Sequence, residues 1–468
     1  MEFKEALNQI GGLREMAGKL NLLTAVGRRV LNASEWLVDP VEINALLDEI
    51  EEAVRTIENA EYAVQIEIIN LRLMNVRDIP NTISRLNVGE TLDEVELFEL
   101  KGLAVISKKL RECFESLPLI KFKTFNLPDL SAALDLLDPE HTGSTHFYIY
   151  DSYSELLASR RKELAKIQSD PDYDEKEADR LMGECLRLEA EVRESLSKRL
   201  KPYASSFLLT LERLGKADLV LAKARMALDL GLTRPGLTNE TQEYRRLWNP
   251  VVKEILEEKG GQYQAVDISF RRGITLITGA NMGGKSVTLR SVALAQALAQ
   301  FGFYVPAEKA RIVPVDGILQ SLGDGESEQK GLSSFGAEIV RINSILEITE
   351  EKVCLVLIDE PARTTNPEEG NAIASALAEI MNQRKSFSLM TTHYGLNVDG
   401  CRRLRVRGLK EDIDRSTDFT PAMIARLMDY SLIEVSEGAS IPREALRIAG
   451  LLGGETELMA KAAAILGN

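Results

Sequence analysis

The stretch Thr275-Leu-Ile-Thr-Gly-Ala-Asn-Met-Gly-Gly-Lys-Ser-Val-Thr288 decides the fold of this chain. It begins with an apolar, β-prone run, turns through glycines, and ends in a Lys-Ser pair that opens a long apolar helical pattern. Gly279, Gly284, Lys285 and Ser286 fit the pattern G-x-x-x-x-G-K-[ST], in the strand–loop–helix context that this pattern requires. The sequence therefore predicts a phosphate-binding P-loop in an α/β domain.

The chemistry of phosphate binding accounts for the residue types in this loop. Glycines let successive backbone N–H groups converge on phosphate oxygens without clashes from Cβ atoms. The helix that follows points the positive end of its dipole at the same anion. We expect Lys285 to contact the β- and γ-phosphates and the Ser286 hydroxyl to bind Mg²⁺.

The composition bounds the class of protein. The chain has 468 residues, of which 44% are hydrophobic and 28% charged, as in an ordinary globular protein of roughly two to four domains. Its four scattered cysteines form no C-x-x-C pair, so neither a zinc site nor a disulfide framework is indicated. No signal peptide and no apolar run of transmembrane length are visible, so we expect a cytoplasmic protein without a membrane partner.

The net charge of −15 bears on nucleic-acid binding. A protein that binds duplex DNA usually presents a basic face, because neutralising phosphates supplies much of the affinity. An acidic chain can still contain a basic groove. The charge therefore disfavours a DNA partner without excluding it.

Helical patterns dominate the first half of the chain. Residues 1–240 are predicted to form an all-α domain, within which residues 152–205 form an antiparallel helical hairpin that projects into solvent. Residues 241–408 are predicted to form the α/β domain, and residues 409–468 a helical segment. The β-prone run Phe147-Tyr-Ile-Tyr150 is either a packing patch or a contact site for a partner.

Two further apolar runs end in polar residues. Val353-Cys-Leu-Val-Leu-Ile-Asp-Glu360 reads as a buried parallel strand, and ligands of open α/β sheets bind at the carboxyl ends of such strands. Asp359 is thus placed to hold Mg²⁺, directly or through water, and Glu360 to act as general base on the attacking water. His393 ends the next run, where it either hydrogen-bonds that water or the γ-phosphate, or is a structural histidine.

A second anion site is predicted before an amphipathic helix. In Gly331-Leu-Ser-Ser-Phe-Gly-Ala-Glu-Ile339, Ser333 and Ser334 are placed to cap the helix, whose N-terminus is rich in free amides. A P-loop protein gains from a second phosphate cradle only if two subunits face each other. The segment therefore raises the question of a second subunit that faces this one.

Together these motifs resemble those of MutS-type ATPases, a branch of the ABC-like P-loop fold. Residues 245–400 carry the firm part of the resemblance, in which Ala280 stands where proline is usual. The resemblance implies a helical core and lever domain in residues 1–240, and dimerisation helices in residues 409–468. Five segments agree in order and approximate spacing, namely 279–286, 304–307, 331–335, 359–363 and 392–394.

The same resemblance implies two composite sites for ATP and Mg²⁺ in a homodimer. Ser333 would reach the γ-phosphate bound by the partner subunit, and Tyr263 would stack on adenine. The implied residues are Glu360, His393 and Lys285 for catalysis; Ser286 and Asp359 for the metal; and Gly279, Ala280, Asn281, Met282, Gly283, Gly284, Lys285, Ser286, Val287, Ser333 and Tyr263 for the nucleotide.

Departures from the family concern its DNA-binding parts. Because the core pattern begins within the first thirty residues, we expect no counterpart of the N-terminal mismatch-reading and connector domains, and we expect the hairpin of residues 152–205 to stand where a β-rich DNA clamp is usual. Leu332 replaces an arginine of the signature loop, and Thr364-Thr-Asn-Pro-Glu-Glu-Gly370 replaces a Gly-Thr-Ser/Thr stretch. The charged faces of the hairpin are either solvated surface or a docking surface for another protein.

Three functions remain open at this stage. Asp359–Pro367 and Phe147–Tyr153 resemble the ATPase subunit of the lysine aminomutase reactivase, which acts with a second subunit on an adenosylcobalamin-dependent lysine aminomutase. The alternative is a trimmed MutS homologue that binds mismatched or branched DNA in an ATP-dependent manner. A vestigial nucleotide site is disfavoured, because Lys285, Ser286 and Asp359-Glu360 are all intact.

Overall fold

Two compact units make up the chain, and neither is a continuous segment. The α/β unit comprises Met1–Leu20, Glu35–Asp48 and Met226–Asn468, and the helical unit comprises Asn21–Ser34 and Glu49–Arg225. The structure is a computed structural model, and it describes residues 1–170, 174–279, 283–323, 334–396, 398–410, 426–436, 444–451 and 456–465.

This division differs from the boundary that the sequence suggests at residue 240. Residues 1–20 and 35–48 cluster with the α/β unit, although the sequence predicts them to be part of the helical domain. Aromatic packing explains why. The ring centre of Phe3 lies 5.0 Å from that of Phe301 and 5.9 Å from that of Phe303. The ring centre of Trp36 lies 5.4 Å from that of Phe301.

The described part of the helical unit contains helices and irregular segments. Helices α4 (Pro40–Glu58) and α11 (Ala204–Leu230) each extend beyond this unit. Its other helices are α3 (Ala25–Asn32), α5 (Ala63–Leu73), α6 (Pro80–Val88), α7 (Glu94–Glu115), α8 (Ser131–Leu137), α9 (Glu155–Gln168) and α10 (Glu175–Leu200), with 3₁₀ turns at Ala60–Tyr62, Pro118–Lys121, Asp151–Tyr153 and Lys201–Tyr203.

Helices α9 and α10 pack against each other as a hairpin. Leu157 of α9 and Leu181 of α10 are both fully buried. The Ser154 hydroxyl caps α9 by accepting a hydrogen bond from the Leu157 N–H at 3.2 Å. Apolar residues at helical spacing are thus buried on both helices.

The aromatic run 147–150 is irregular rather than a strand. The backbone carbonyls of His146 and Ile149 accept hydrogen bonds from the side chains of Lys101 and Arg161, instead of from a neighbouring strand. Ile149 and Tyr150 are buried. For these two residues the structure favours a packing role over a contact with a partner.

The α/β unit contains two sheets and the helices around them. Its helices are α1 (Phe3–Gln9), α2 (Leu13–Gly18), α12 (Pro250–Glu258), α13 (Lys285–Gln300), α14 (Ser334–Glu351), α15 (Pro367–Gln383), α16 (Glu444–Leu451) and α17 (Thr456–Ile465). Its strands are β1 (Gly236–Leu237), β2 (Thr241–Leu247), β3 (Val266–Arg271), β4 (Gly273–Thr278), β5 (Lys309–Ile312), β6 (Gly317–Leu322), β7 (Cys354–Asp359), β8 (Phe387–Thr391), β9 (Arg402–Leu409) and β10 (Met428–Glu434).

The larger sheet has the strand order β10-β9-β4-β8-β7-β6. Its strands run parallel except β10, which pairs antiparallel with β9. The smaller sheet has the order β1-β5-β2-β3. Both β7 and β8 are almost wholly buried, as expected of unbroken apolar runs inside a parallel sheet.

A hydrophobic core lies between the larger sheet and helices α14 and α15. It joins Leu276 of β4 and Val356 of β7 to Ile342 of α14 and Ala378 and Met381 of α15, all of them buried. These contacts hold α14 and α15 against the sheet. The core thus supports the strand ends that carry the predicted site.

Residues 409–468 are not uniformly helical as predicted. Met428–Glu434 form strand β10, whose residues Met428 and Leu432 pair with Leu409 and Val406 of β9. Buried Leu409 and Met428 pack with Ile448 of α16. Pairing with β9 therefore outweighs local helical preference, which sequence periodicity cannot reveal.

Candidate nucleotide-binding site

The three strands with predicted functional ends lie side by side. Thr391 of β8 is in register with Ile277 of β4 on one side and with Asp359 of β7 on the other. The loop after β4, Glu360 after β7 and His393 after β8 therefore leave the sheet at one edge. This is the edge at which ligands of open α/β sheets bind.

The described glycines of the P-loop adopt conformations that other residues avoid. Gly279 has a φ of +139° and Gly284 a φ of +72°. A Cβ atom at Gly279 would lie 3.0 Å from the Cβ of Val406, and one at Gly284 would lie 3.0 Å from Cδ1 of Tyr430. Close backbone packing thus requires glycine at both ends of the loop. Residues Ala280, Asn281 and Met282 lie outside the described part.

Lys285 begins α13 and turns back toward the loop. Its Nζ donates a hydrogen bond to the Gly279 carbonyl at 2.8 Å and lies 3.5 Å from Oε1 of Glu360. The side chain is only 4% exposed. Burial lowers the pKa of Lys285, and the negative charge of Glu360 opposes this shift. A buried cation thus faces the P-loop backbone.

Glu360 lies between Lys285 and His393. Its Oε1 contacts Nε2 of His393, and its Oε2 lies 3.4 Å from Nη1 of Arg363. The His393 ring beside the carboxylate and the Lys285 charge lower the pKa of Glu360 to about 2, against the opposing effect of burial. The structure therefore brings Lys285, Glu360 and His393 together.

Asp359 and Ser286 offer a donor set that suits Mg²⁺. Asp359 ends β7 as a carboxylate, and Ser286 lies in the first turn of α13. The described residues include no group of three or more His, Cys, Asp or Glu side chains that would hold a metal by themselves. One carboxylate and one hydroxyl would suit Mg²⁺, which usually takes its other ligands from water and substrate phosphates.

Sequence reasoning missed Thr391 and Tyr430. The Thr391 hydroxyl donates a hydrogen bond to Oδ1 of Asp359 and accepts one from the Glu360 N–H at 3.0 Å. The sequence signal that could have found Thr391 is its position two residues before His393. Tyr430 packs against Gly284 from β10, in a stretch that the sequence predicts to be helical, so no signal pointed to it.

Two predicted nucleotide contacts remain predictions. Tyr263 is half-buried, and its hydroxyl lies near the Ser291 side chain of α13 and the Asn249 backbone. Burial raises the pKa of Tyr263 against the effect of these two neighbours. The ring is thus held near the P-loop helix, where an adenine contact is untested. Ser333 lies outside the described residues.

Residues 275–449 match the family model of MutS domain V. The match contains the P-loop, strands β7 and β8, and His393. MutS domain V binds and hydrolyses ATP.

The chain is also similar to parts of longer proteins that are named endonuclease MutS2 or DNA mismatch repair protein MutS. It is 36% identical over 232 residues to an endonuclease MutS2 from Ligilactobacillus salivarius, covering 48% of this chain and 28% of the relative. It is 32% identical over 282 residues to a DNA mismatch repair protein MutS from Thermus thermophilus, covering 59% of this chain and 34% of the relative.

A third similarity extends beyond domain V. The chain is 28% identical over 495 aligned positions to a DNA mismatch repair protein MutS from Thermus caldophilus, covering 92% of this chain and 59% of the relative. The chain thus spans between 28% and 59% of the length of these three relatives. None of its described helices is both long and apolar enough to cross a membrane.

Proposed function

We propose that the chain hydrolyses ATP to ADP and phosphate at the edge formed by β4, β7 and β8. The convergence of Lys285, Glu360 and His393 on one point carries this proposal. The match to MutS domain V over residues 275–449 supports it. In this proposal Lys285 binds the β- and γ-phosphates.

Glu360 is the proposed general base. A water molecule gives a proton to its carboxylate and attacks the γ-phosphorus, while the bond to the β–γ bridging oxygen breaks and ADP leaves with the electron pair. Phosphate oxygens compete with Glu360 for Lys285. A negative charge nearby raises the pKa of a carboxylate, so substrate strengthens Glu360 as a base.

His393 and the metal-binding residues complete the proposed site. His393 contacts Glu360 and orients its carboxylate toward the attacking water. Ser286 and Asp359 hold Mg²⁺, and Thr391 fixes Asp359 through its hydroxyl. When bound, Mg²⁺ neutralises charge on the β- and γ-phosphate oxygens.

The proposed assembly is a homodimer with two composite sites. Ser333 reaches the nucleotide of the partner subunit, so ATP favours the closed dimer through contacts that exist only there. The resemblance to MutS-type ATPases supports this assembly, and the cytoplasm is its proposed location. ATP binding and release would then drive the helical unit against a target.

DNA of mismatched or branched structure is the proposed target. The similarity to relatives named endonuclease MutS2 and DNA mismatch repair protein MutS supports it. A protein target, such as a cobalamin-dependent aminomutase or a second reactivase subunit, is the second candidate. Ion pairs on α9 and α10 favour it, because Arg160, Arg161 and Arg180 each contact a glutamate and are less available to phosphates.

ATP turnover in the presence of each target separates the two candidates. The protein is assayed alone, with homoduplex, mismatched and branched DNA, and with an inactivated adenosylcobalamin-dependent lysine aminomutase. We expect mismatched or branched DNA to stimulate turnover more strongly at 50 mM than at 200 mM salt, since phosphate contacts weaken with salt. Stimulation by the aminomutase alone would replace DNA with the second candidate.

A further inference from the structure

The backbone just after β7 is strained at two positions. Glu360 has a φ of +48° and Ala362 a φ of +59°. In this left-handed region the Cβ of any residue other than glycine crowds the backbone. Such residues keep their conformation only where surrounding contacts fix it, and they concentrate at functional sites. The contacts around the turn of residues 360–362 therefore determine where the Glu360 carboxylate lies.

Strand β8 holds the first strained residue. The Glu360 N–H donates hydrogen bonds to the Thr391 carbonyl at 3.1 Å and to the Thr391 hydroxyl at 3.0 Å. Strand β8 is the direct neighbour of β7 in the sheet. The start of the turn is thus fixed by the same strand that ends near His393.

Helix α14 holds the second strained residue through Glu338. The Ala362 N–H donates a hydrogen bond to Oε1 of Glu338 at 3.2 Å. Ile342 and Ile345, one and two turns further along α14, are buried in the core of the larger sheet. The helix that carries Glu338 is therefore anchored, and its carboxylate is a fixed acceptor.

The turn is also closely packed from the side of α15. A Cβ atom at Gly370 would lie 2.9 Å from the Ala362 carbonyl oxygen and 2.5 Å from the Tyr394 hydroxyl. The Ala362 side chain is fully buried. With so little free space, the turn cannot easily rearrange to give the Ala362 N–H another acceptor, so loss of the bond to Glu338 would leave this amide unsatisfied.

We propose that Glu338 is a positioning residue for Glu360, because its carboxylate oxygen fixes the Ala362 N–H and thereby the turn that aims Glu360 at Lys285 and His393. The inference rests on the proposed role of Glu360 as general base. Glu338 acts through the backbone two residues away, so what it must supply is a hydrogen-bond acceptor at the right place. Its negative charge is not required.

Three variants test this role in the full-length protein. Glu338→Ala removes the acceptor, and we expect kcat to fall by roughly 100-fold with nucleotide affinity retained, since a misplacement of about 1 Å at a reacting group costs on this order. Glu338→Gln keeps an oxygen acceptor and should retain most of the turnover. Glu347→Ala, at an exposed position of the same helix, is the matched control and should behave as wild type.

Amide hydrogen exchange supplies a readout that does not depend on turnover. Exchange of the peptide containing Ala362 should be slow in wild type and Glu338→Gln and faster in Glu338→Ala. If Glu338→Ala does not fold, Glu338→Asp replaces it, because the shorter side chain no longer reaches the amide.

Two results would overturn the proposal. If Glu338→Gln is as inactive as Glu338→Ala, then the negative charge of Glu338 is required. If Glu338→Ala has wild-type turnover and unchanged amide exchange, then the hydrogen bond to the Ala362 N–H does not position Glu360. A wild-type protein that binds ATP without hydrolysing it would instead refute the proposed function, and the exchange comparison would still test Glu338.

Discussion

The pKa of Glu360 depends on two neighbouring side chains of the site, His393 and Lys285. His393 and Lys285 lower its pKa from 4.5 to about 2, so folding stabilises the ionised form. A carboxylate with a lowered pKa stabilises the folded state above its unfolded pKa, and this contribution is lost as the pH falls through the folded value. The relevant window therefore runs from about pH 4.5 down to about 2.

This linkage predicts a pH-dependent difference between wild type and Glu360→Gln. The difference in thermal unfolding midpoint should be constant above about pH 5.5 and should change as the pH falls through 4.5, with wild type losing stability relative to the variant. Differential scanning calorimetry from pH 3.5 to 7 measures it. A difference that does not vary with pH would show that the Glu360 pKa is unperturbed by its neighbours.

At the scale of elements, a buried ion pair organises the segment between α8 and α9. Lys101 of α7 donates hydrogen bonds to Oδ1 of Asp138 at 3.0 Å, to the His146 carbonyl at 2.8 Å and to the Tyr150 hydroxyl at 2.6 Å. The side chains of Lys101 and Asp138 are 0% and 4% exposed. One lysine thus ties a long irregular segment to α7.

Asp138 accepts several hydrogen bonds within the same cluster. Burial opposes its ionisation, but hydrogen bonds from the Gly143 N–H and the Thr142 hydroxyl, together with the Lys101 charge, lower the pKa of Asp138 to about 2. Removing only the lysine would leave this carboxylate buried without its counter-charge. Removing the charge of both partners would avoid that penalty.

Lys101→Met should therefore destabilise the helical unit by about 3–5 kcal/mol, the usual cost of breaking a buried ion pair. Lys101→Met combined with Asp138→Asn should recover part of this loss, because no charge then remains buried. Urea unfolding followed by circular dichroism measures both. Lys108→Met, at an exposed position of α7, is the control and should stay within about 0.5 kcal/mol of wild type. A Lys101→Met variant as stable as this control would refute the structural role of the pair.

At the scale of the whole molecule, the strand ends were readable from the sequence. Unbroken apolar runs ending in Asp359-Glu360 and before His393 predict parallel strands, and such strands bring their ends to one edge. The observed contacts of Glu360 with Lys285 and His393 follow from that rule. The P-loop was readable because its glycines and lysine lie within eight consecutive residues.

Features that depend on contacts between residues far apart in the sequence could not be predicted from the sequence. Strand β10 exists because it pairs with β9, and Glu338 meets Ala362 across 24 positions of sequence. Residues 1–20 join the α/β unit through rings such as Phe3 and Phe301. Periodicity records which face of an element is apolar, but it does not record which partner covers that face.

ATP hydrolysis at this edge of the sheet, with Glu360 as base, is the proposed activity on which the other residue roles depend. The measurement that tests it most directly is steady-state and single-turnover hydrolysis of ATP with Mg²⁺ by wild type and Glu360→Gln at matched nucleotide occupancy. Glu369→Gln, at an exposed position of α15, is the control. We predict that Glu360→Gln binds ATP as wild type does but hydrolyses it at least ~100-fold more slowly, since a general base contributes on this order. Equal rates in wild type and Glu360→Gln, or a wild type that binds ATP without hydrolysing it, would contradict the claim.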